Sequence, residues 1–186
     1  MLQLVALVEL GICWIAWVLA FVKPSRQAAE QQEAASVPAS RWGIFLVMAG
    51  FAFAWAYVRP VGFHKSVSEL VASMILGPPS VALAWMAAHR LGKQWRFKAA
   101  VSQGHELIQT GPYRWVRHPI YASMLGMLLA TLAAWTWWPM ALCSIAAFLA
   151  GTEIRVRSEE KLLAEHFKDA YSAYRSRTRA YIPLIR

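Results

Sequence analysis

Residues 119–152 read PIYASMLGMLLATLAAWTWWPMALCSIAAFLAGT, 34 residues without a formal charge between His118 and Glu153. At about 1.5 Å per residue a single helix of this length would overrun a hydrocarbon core of about 30 Å, while two helices just fill it. A tight helical hairpin over 119–153 is the economical solution. Its turn falls in Trp135-Thr136-Trp137-Trp138-Pro139, where interfacial aromatics and a proline coincide.

Outward from the hairpin, three more apolar runs predict spans. Leu2 to Val22 carries one acid, Glu9, and ends at Lys23-Pro24; no basic stretch precedes it, so it is expected to remain as a span rather than be cleaved as a signal. Trp42 to Val58 has Trp42 and Tyr57 as interfacial anchors and stops at Arg59-Pro60, and Leu70 to Ala88 is interrupted by Gly77-Pro78-Pro79, expected to kink or break the helix. The chain thus reads as an all-α polytopic membrane protein of about five transmembrane helices. Its composition agrees: 58% of residues are hydrophobic and 16% charged, against about a quarter charged in soluble domains.

The net charge of +9 gathers in the short polar stretches, which excludes a nucleic-acid surface and follows the positive-inside bias. Arg90, Lys93, Arg96, Lys98, Arg114 and Arg117 face a single acid, Glu106, in the segment before the hairpin, and the tail after it is also basic. Both are expected on the cytoplasmic side of the cell membrane, with the amino terminus outside and Lys23, Arg26 and Arg41 inside; Arg59 and Lys65 would lie outside, against the trend. Beyond the last span, Leu162, Leu163, His166, Phe167, Tyr171 and Tyr174 recur at helical spacing and predict a C-terminal amphipathic helix on the domain or in the interface. Cys13 and Cys143 sit in apolar runs without partners at metal-ligand spacing and read as core packing, while His64 and His89 read as solvated.

Two segments carry chemistry. The loop from His105 to Tyr121, HELIQTGPYRWVRHPIY, crowds turn formers, ring nitrogens and guanidinium groups where the chain re-enters the membrane. Arg155-Val156-Arg157-Ser158-Glu159-Glu160 closes the last span, and a hairpin would return Glu159 and Glu160 close to His118 and Tyr121. Taken alone, these residues also fit a plain turn with snorkelling arginines and an interfacial ion pair worth about 0–1 kcal/mol.

The string GPYRWVRHPIY, the preceding LGKQW and HELI, and the later EEKLLAEHFKDAYSAYRSR followed by IP resemble the isoprenylcysteine carboxyl methyltransferase family in its small prokaryotic form. The resemblance covers roughly Leu91 to Pro183. It implies two regions: residues 1–89, three transmembrane helices, and 90–186, a cytoplasmic cofactor-binding connector, the hairpin and the C-terminal helix. It also implies a cytosol-facing site for S-adenosyl-L-methionine and a lipophilic or lipidated methyl acceptor approaching from the membrane lipids. By motif, the cofactor positions are His105, Glu106, Leu107, Ile108, Tyr113, His118, Pro119, Ile120, Tyr121 and Glu159. Arg155 matches the substrate-contacting arginine, and no metal is implied. Ser123 departs from the family, standing where a glycine is common.

A carboxylate acceptor is ionised at neutral pH and needs only aiming, which an arginine fork suits. An amine acceptor, as in phospholipid N-methylation, would need a base, for which Glu160 or His118 would serve. A membrane reductase of the sterol-reductase type is a further alternative, though no Gly-x-Gly-x-x-Gly calls for a dinucleotide; a non-enzymatic membrane protein is another, against which the intact motifs argue.

Overall fold

The computed structural model describes residues 1–29, 39–56, 63–92 and 106–181, with side chains from 23 to 29 and at 39 and 40 left aside. Five helices follow in order: α1 Leu2–Ala29, α2 Ala39–Trp55, α3 Val67–Leu91, α4 Pro119–Ala134 and α5 Trp138–Arg177. Among the described residues the only β pairing is a single bridge between Val116 and Arg179. Three helices are long and apolar enough to cross a membrane, over Leu2–Val22, Val67–Leu91 and Trp138–Arg177, and Arg41–Trp55 and Pro119–Ala134 are shorter apolar helices. The chain is an all-α polytopic membrane protein.

The hairpin turn lies where the aromatic cluster places it, with α4 capped by Trp135 and α5 opening at Trp138 with Pro139 in its first turn. The two arms nevertheless make most of their contacts elsewhere: α3 and α1 gather beside α4, and α2 lies along α5. The turn is tied to α2 through Thr136 Oγ1, which donates to the Ala54 carbonyl at 2.6 Å. The same end is fastened on the α3 side by Lys65. Its Nζ donates to Glu69 at 2.8 Å and to the Leu132 carbonyl near the end of α4 at 3.0 Å, so one of the two charges that ran against the topology trend is neutralised in place; the other, Arg59, lies outside the described residues.

α3 begins at Val67, three residues before the expected Leu70, because Ser66 and Glu69 form a reciprocal capping box. It then runs helical through Pro78 and Pro79, where a kink or a break was expected, so the helix is not broken there. The prolines remove two backbone donors, and neighbours hold the segment in shape. Ser80 Oγ donates to the Leu76 carbonyl at 2.7 Å, Gly126 of α4 leaves room for that hydroxyl, and Cys13 of α1 closes on Gly77. α1 docks on α4 through two indoles: Trp14 Nε1 donates to Thr131 Oγ1 at 3.0 Å and Trp17 Nε1 to Ser123 Oγ at 3.3 Å. Ser123, the residue that departs from the family pattern, is therefore where the first helix is fastened.

One expectation is corrected. Cys143 is exposed while Cys13 is buried, because the inward stripe of α5 runs through Ser144, Phe148, Gly151 and Arg155 and leaves position 143 off it. The C-terminal helical segment follows directly on the last span: α5 continues from the membrane to Lys168, whose φ of 46° kinks the path, and a further helical stretch runs from there to Arg177. Tyr171 and Tyr174 there are buried.

The α2–α5 contact is close because small residues face each other. Ser144 Oγ donates to the Gly50 carbonyl at 2.7 Å. A Cβ at Gly151 would stand 2.7 Å from both the Gly43 carbonyl oxygen and the Val47 nitrogen, so it meets backbone that cannot swing aside. Gly151→Ala should therefore lower stability by about 1–3 kcal/mol, read as an earlier thermal transition in detergent. Gly11→Ala, where a Cβ meets nothing within 4 Å, should not.

Candidate functional site

From Glu106, which is exposed, through Leu107 and Ile108, which are half-buried, the connector reaches a 3₁₀ turn over Gly111–Arg114. Gly111 adopts φ +62°, and a Cβ there would lie 3.2 Å from Arg90 Nε, so glycine serves both the turn and the close approach of α3. Tyr113 is buried beneath the turn, its hydroxyl donating to the Ala87 carbonyl at 3.5 Å and its own carbonyl accepting from Tyr174 at 2.6 Å. The chain then lies beside the C-terminal segment: Arg117 N donates to the Arg179 carbonyl at 2.7 Å and His118 N to that of Ala180 at 2.8 Å. Pro119 opens α4, as a proline in a first turn can.

Across this connector stands the end of α5. Its apolar part closes at Thr152, one residue before Glu153, so Glu159 and Glu160 lie beyond the membrane-spanning part. Arg155 and Glu159, four residues apart, share a helix face and contact at 3.2 Å. Both meet Tyr121, which donates to Glu159 Oε1 at 2.5 Å and accepts from Arg155 Nε at 2.5 Å. His118 sits between the acids, with Nδ1 3.4 Å from Glu159 and Nε2 3.5 Å from Glu160. The hairpin thus brings His118, Tyr121, Arg155, Glu159 and Glu160 into one cluster, flanked by buried Pro119 and half-buried Ile120. His105 lies outside the described residues.

The two acids have different surroundings. Glu160, with 8% of its side chain exposed, accepts from Arg117 Nε at 2.9 Å and from Nη2 at 2.6 Å. Arg117 also donates through Nη1 to the carbonyls of Thr178 and Arg175, so one guanidinium joins Glu160 to the C-terminal segment. Glu159 keeps 23% of its side chain exposed. Burial alone would raise the Glu160 carboxyl, but His118 and Arg117 more than reverse this and bring it down to about 2. Burial likewise opposes charge on His118, and the two carboxylates outweigh it and raise the imidazole above its ordinary value. Glu159 is lowered against its own burial by His118, Arg155 and Tyr121.

Arg117, Tyr174 and the carbonyls of Thr178, Arg179 and Ala180 were not singled out from the sequence as part of the site. Arg117 stood inside the quoted motif, but a snorkelling arginine and a buried clamp have the same sequence. Gly43 of α2 was also missed: a Cβ there would stand 2.6 Å from Arg155 Cγ, so the second helix shapes the seat of that arginine.

A family model described as isoprenylcysteine carboxyl methyltransferase (ICMT) family matches residues 71–165, half of the chain and all five residues of the cluster. The chain belongs to this family. It is also similar to the uncharacterized protein YpbQ of Bacillus subtilis (strain 168), at 37% identity over 99 residues. That match covers 52% of this chain and 56% of that protein, so the chain spans little more than half of its relative's length. The family match leaves out α1, α2 and the C-terminal segment after residue 165, which supply Trp17, Gly43 and Tyr174.

The Arg117–Glu160 pair should be the costliest link to cut. Arg117→Gln leaves a buried carboxylate without its fork, an expected loss of about 3–5 kcal/mol in unfolding experiments in detergent. The pH dependence has two limbs of opposite sign. Glu160 contributes fully above the ordinary carboxyl value of about 4.3 and its contribution fades as pH falls toward 2. His118 contributes below about 6.5 and its contribution is lost as pH rises through its higher folded value. Glu160→Gln should flatten the acid limb of a transition-temperature profile, and an unchanged acid limb would contradict this assignment.

Proposed function

We propose that the chain is an S-adenosylmethionine-dependent integral membrane methyltransferase of the cell membrane. Its site faces the cytoplasm and methylates the carboxylate of a lipophilic, isoprenylcysteine-like substrate. The observation that carries this reading is the Tyr121–Arg155–Glu159 triangle, in which a partly exposed carboxylate and a guanidinium meet on one tyrosine hydroxyl. The donor set fits the cofactor. Glu159 offers a carboxylate to an ammonium or to ribose hydroxyls, the connector offers backbone amides and carbonyls, and Tyr113 and His118 offer ring faces and polar edges.

Bound S-adenosylmethionine would supply a methyl group made electrophilic by its sulfonium. The chain's own part is to bind, orient and exclude water. Arg155, seated against Gly43 at the level where the apolar part of α5 ends, receives an acceptor carboxylate in a fork and aims it. Proton transfer is not needed for an acceptor already ionised. The state of the other groups favours this over an amine acceptor: Glu160 is held near 2 and committed to Arg117, and His118 is held toward its charged form between two carboxylates, so neither is a ready base.

Calorimetry on the detergent-purified chain tests the reading. S-adenosylmethionine should bind, and Glu159→Ala should weaken it by roughly tenfold or more, the worth of a charge-assisted hydrogen bond, with the helix signal in circular dichroism retained. NADPH binding in its place would favour a reductase, and neither cofactor binding would favour a non-catalytic membrane protein. With a carboxylate acceptor in hand, Arg155→Ala should lower kcat/KM by a similar factor; unchanged kcat and KM would remove Arg155 from the role.

A further inference from the structure

The far side of the connector carries a second polar feature that shares no residue with the carboxylate cluster. A groove of about 350 Å³ opens between the last turns of α3 and the 3₁₀ turn, lined by Met86, His89, Arg90, Pro112, Arg114 and Trp115. Two guanidinium groups and an imidazole line it, with no carboxylate among the described lining residues. Among the described residues, Arg117, Arg155, Arg157 and Arg175 each meet a glutamate, whereas neither Arg90 nor Arg114 enters an ion pair. The two come from separate elements and are brought together because Gly111 lets the Arg90 stem lie against the turn.

Depth decides what such a groove can hold. Arg90 is the penultimate residue of α3, a helix that crosses the membrane, so the groove sits at the hydrocarbon boundary on the same side as Glu159. Its apolar wall consists of Met86, at 46% exposure, and Trp115, at 69%. A tryptophan so exposed beside paired arginines at this level matches the amphipathic boundary of a bilayer. We infer that this groove binds an anionic phospholipid, its phosphate between Arg90 and Arg114 and its upper acyl chain along Met86 and Trp115. A free phosphate would use the guanidinium groups but leave the apolar wall idle. The inference does not rest on the methyltransferase reading, since it concerns neither the cofactor nor the acceptor.

Native mass spectrometry of the full chain in detergent tests it, with phosphatidylglycerol and phosphatidylcholine of matched acyl chains. The wild type should retain phosphatidylglycerol in preference. Each arginine removed should weaken that retention by roughly fivefold, the effect of about one kcal/mol per basic residue near a membrane surface. Arg114→Gln, at an exposed position, tests this without disturbing the fold, and Arg90→Gln combined with it should abolish the preference. S-adenosylmethionine binding measured on Arg114→Gln should be unchanged, which separates this site from the one above. Equal retention of the two lipids by the wild type, or an unaltered preference in the double variant, would overturn the proposal. So would displacement of phosphatidylglycerol by excess inorganic phosphate, which would mark a site for the free anion.

Discussion

Charged side chains at the edge of a hydrocarbon layer must be neutralised where they stand, and the Arg117–Glu160 pair is where this protein meets that demand most fully. Both side chains are nearly buried, with 9% and 8% exposed, so losing either partner would strand the other's charge. The remaining donor of Arg117 is satisfied by carbonyls of the C-terminal segment, which must therefore return to the connector. That return explains the form of α5. The helix runs beyond the membrane to bring Glu159 and Glu160 level with His118, then breaks at Lys168 so that Tyr171, Tyr174 and the backbone after Thr178 close against the loop. A lysine at φ 46° is strained by about 1–3 kcal/mol; two buried tyrosines and the Tyr174–Tyr113 hydrogen bond offset it.

The helices around this clamp are joined by close backbone approach and by polar groups satisfied across helices. Inside a bilayer apolar surface alone does not drive helices together. Gly43, Gly50 and Gly151 bring α2 against α5, Gly77 and Gly126 bring α1 and α4 against α3, and the Trp14 and Trp17 indoles give α1 fixed partners on α4. The amino-terminal helices are thus part of the site's architecture. Gly43 sets the space in which the Arg155 stem lies, and Trp17 fixes Ser123 two residues after Tyr121.

The cluster at the hairpin's open end separates two adjacent acids by their surroundings. Glu160 turns inward to Arg117 and is committed to structure; Glu159, one residue earlier, turns toward Tyr121 and Arg155 and remains partly open. Neighbouring residues on a helix point about 100° apart, which is enough to assign one carboxylate to the clamp and the other to a ligand. His118 bridges the two environments and couples the state of one to the other.

The apolar runs, the aromatic turn at 135–139 and the recurrence of Arg155 and Glu159 four residues apart are local properties, and from them the sequence by itself determined five helices, the hairpin and the meeting of His118 and Tyr121 with the acids. Local patterns could not say which helices would lie side by side, because in lipid that depends on which small residues and hydroxyls match across the gap. The pairing of α2 with α5, the unbroken path of α3 through two prolines and the outward position of Cys143 were decided there. The tertiary structure alone committed Glu160 to Arg117 and turned Arg117 from a snorkelling cation into a clamp. The worth of a charge is set by what surrounds it, and the partners that surround Arg117 come from 43 to 61 positions away in the chain.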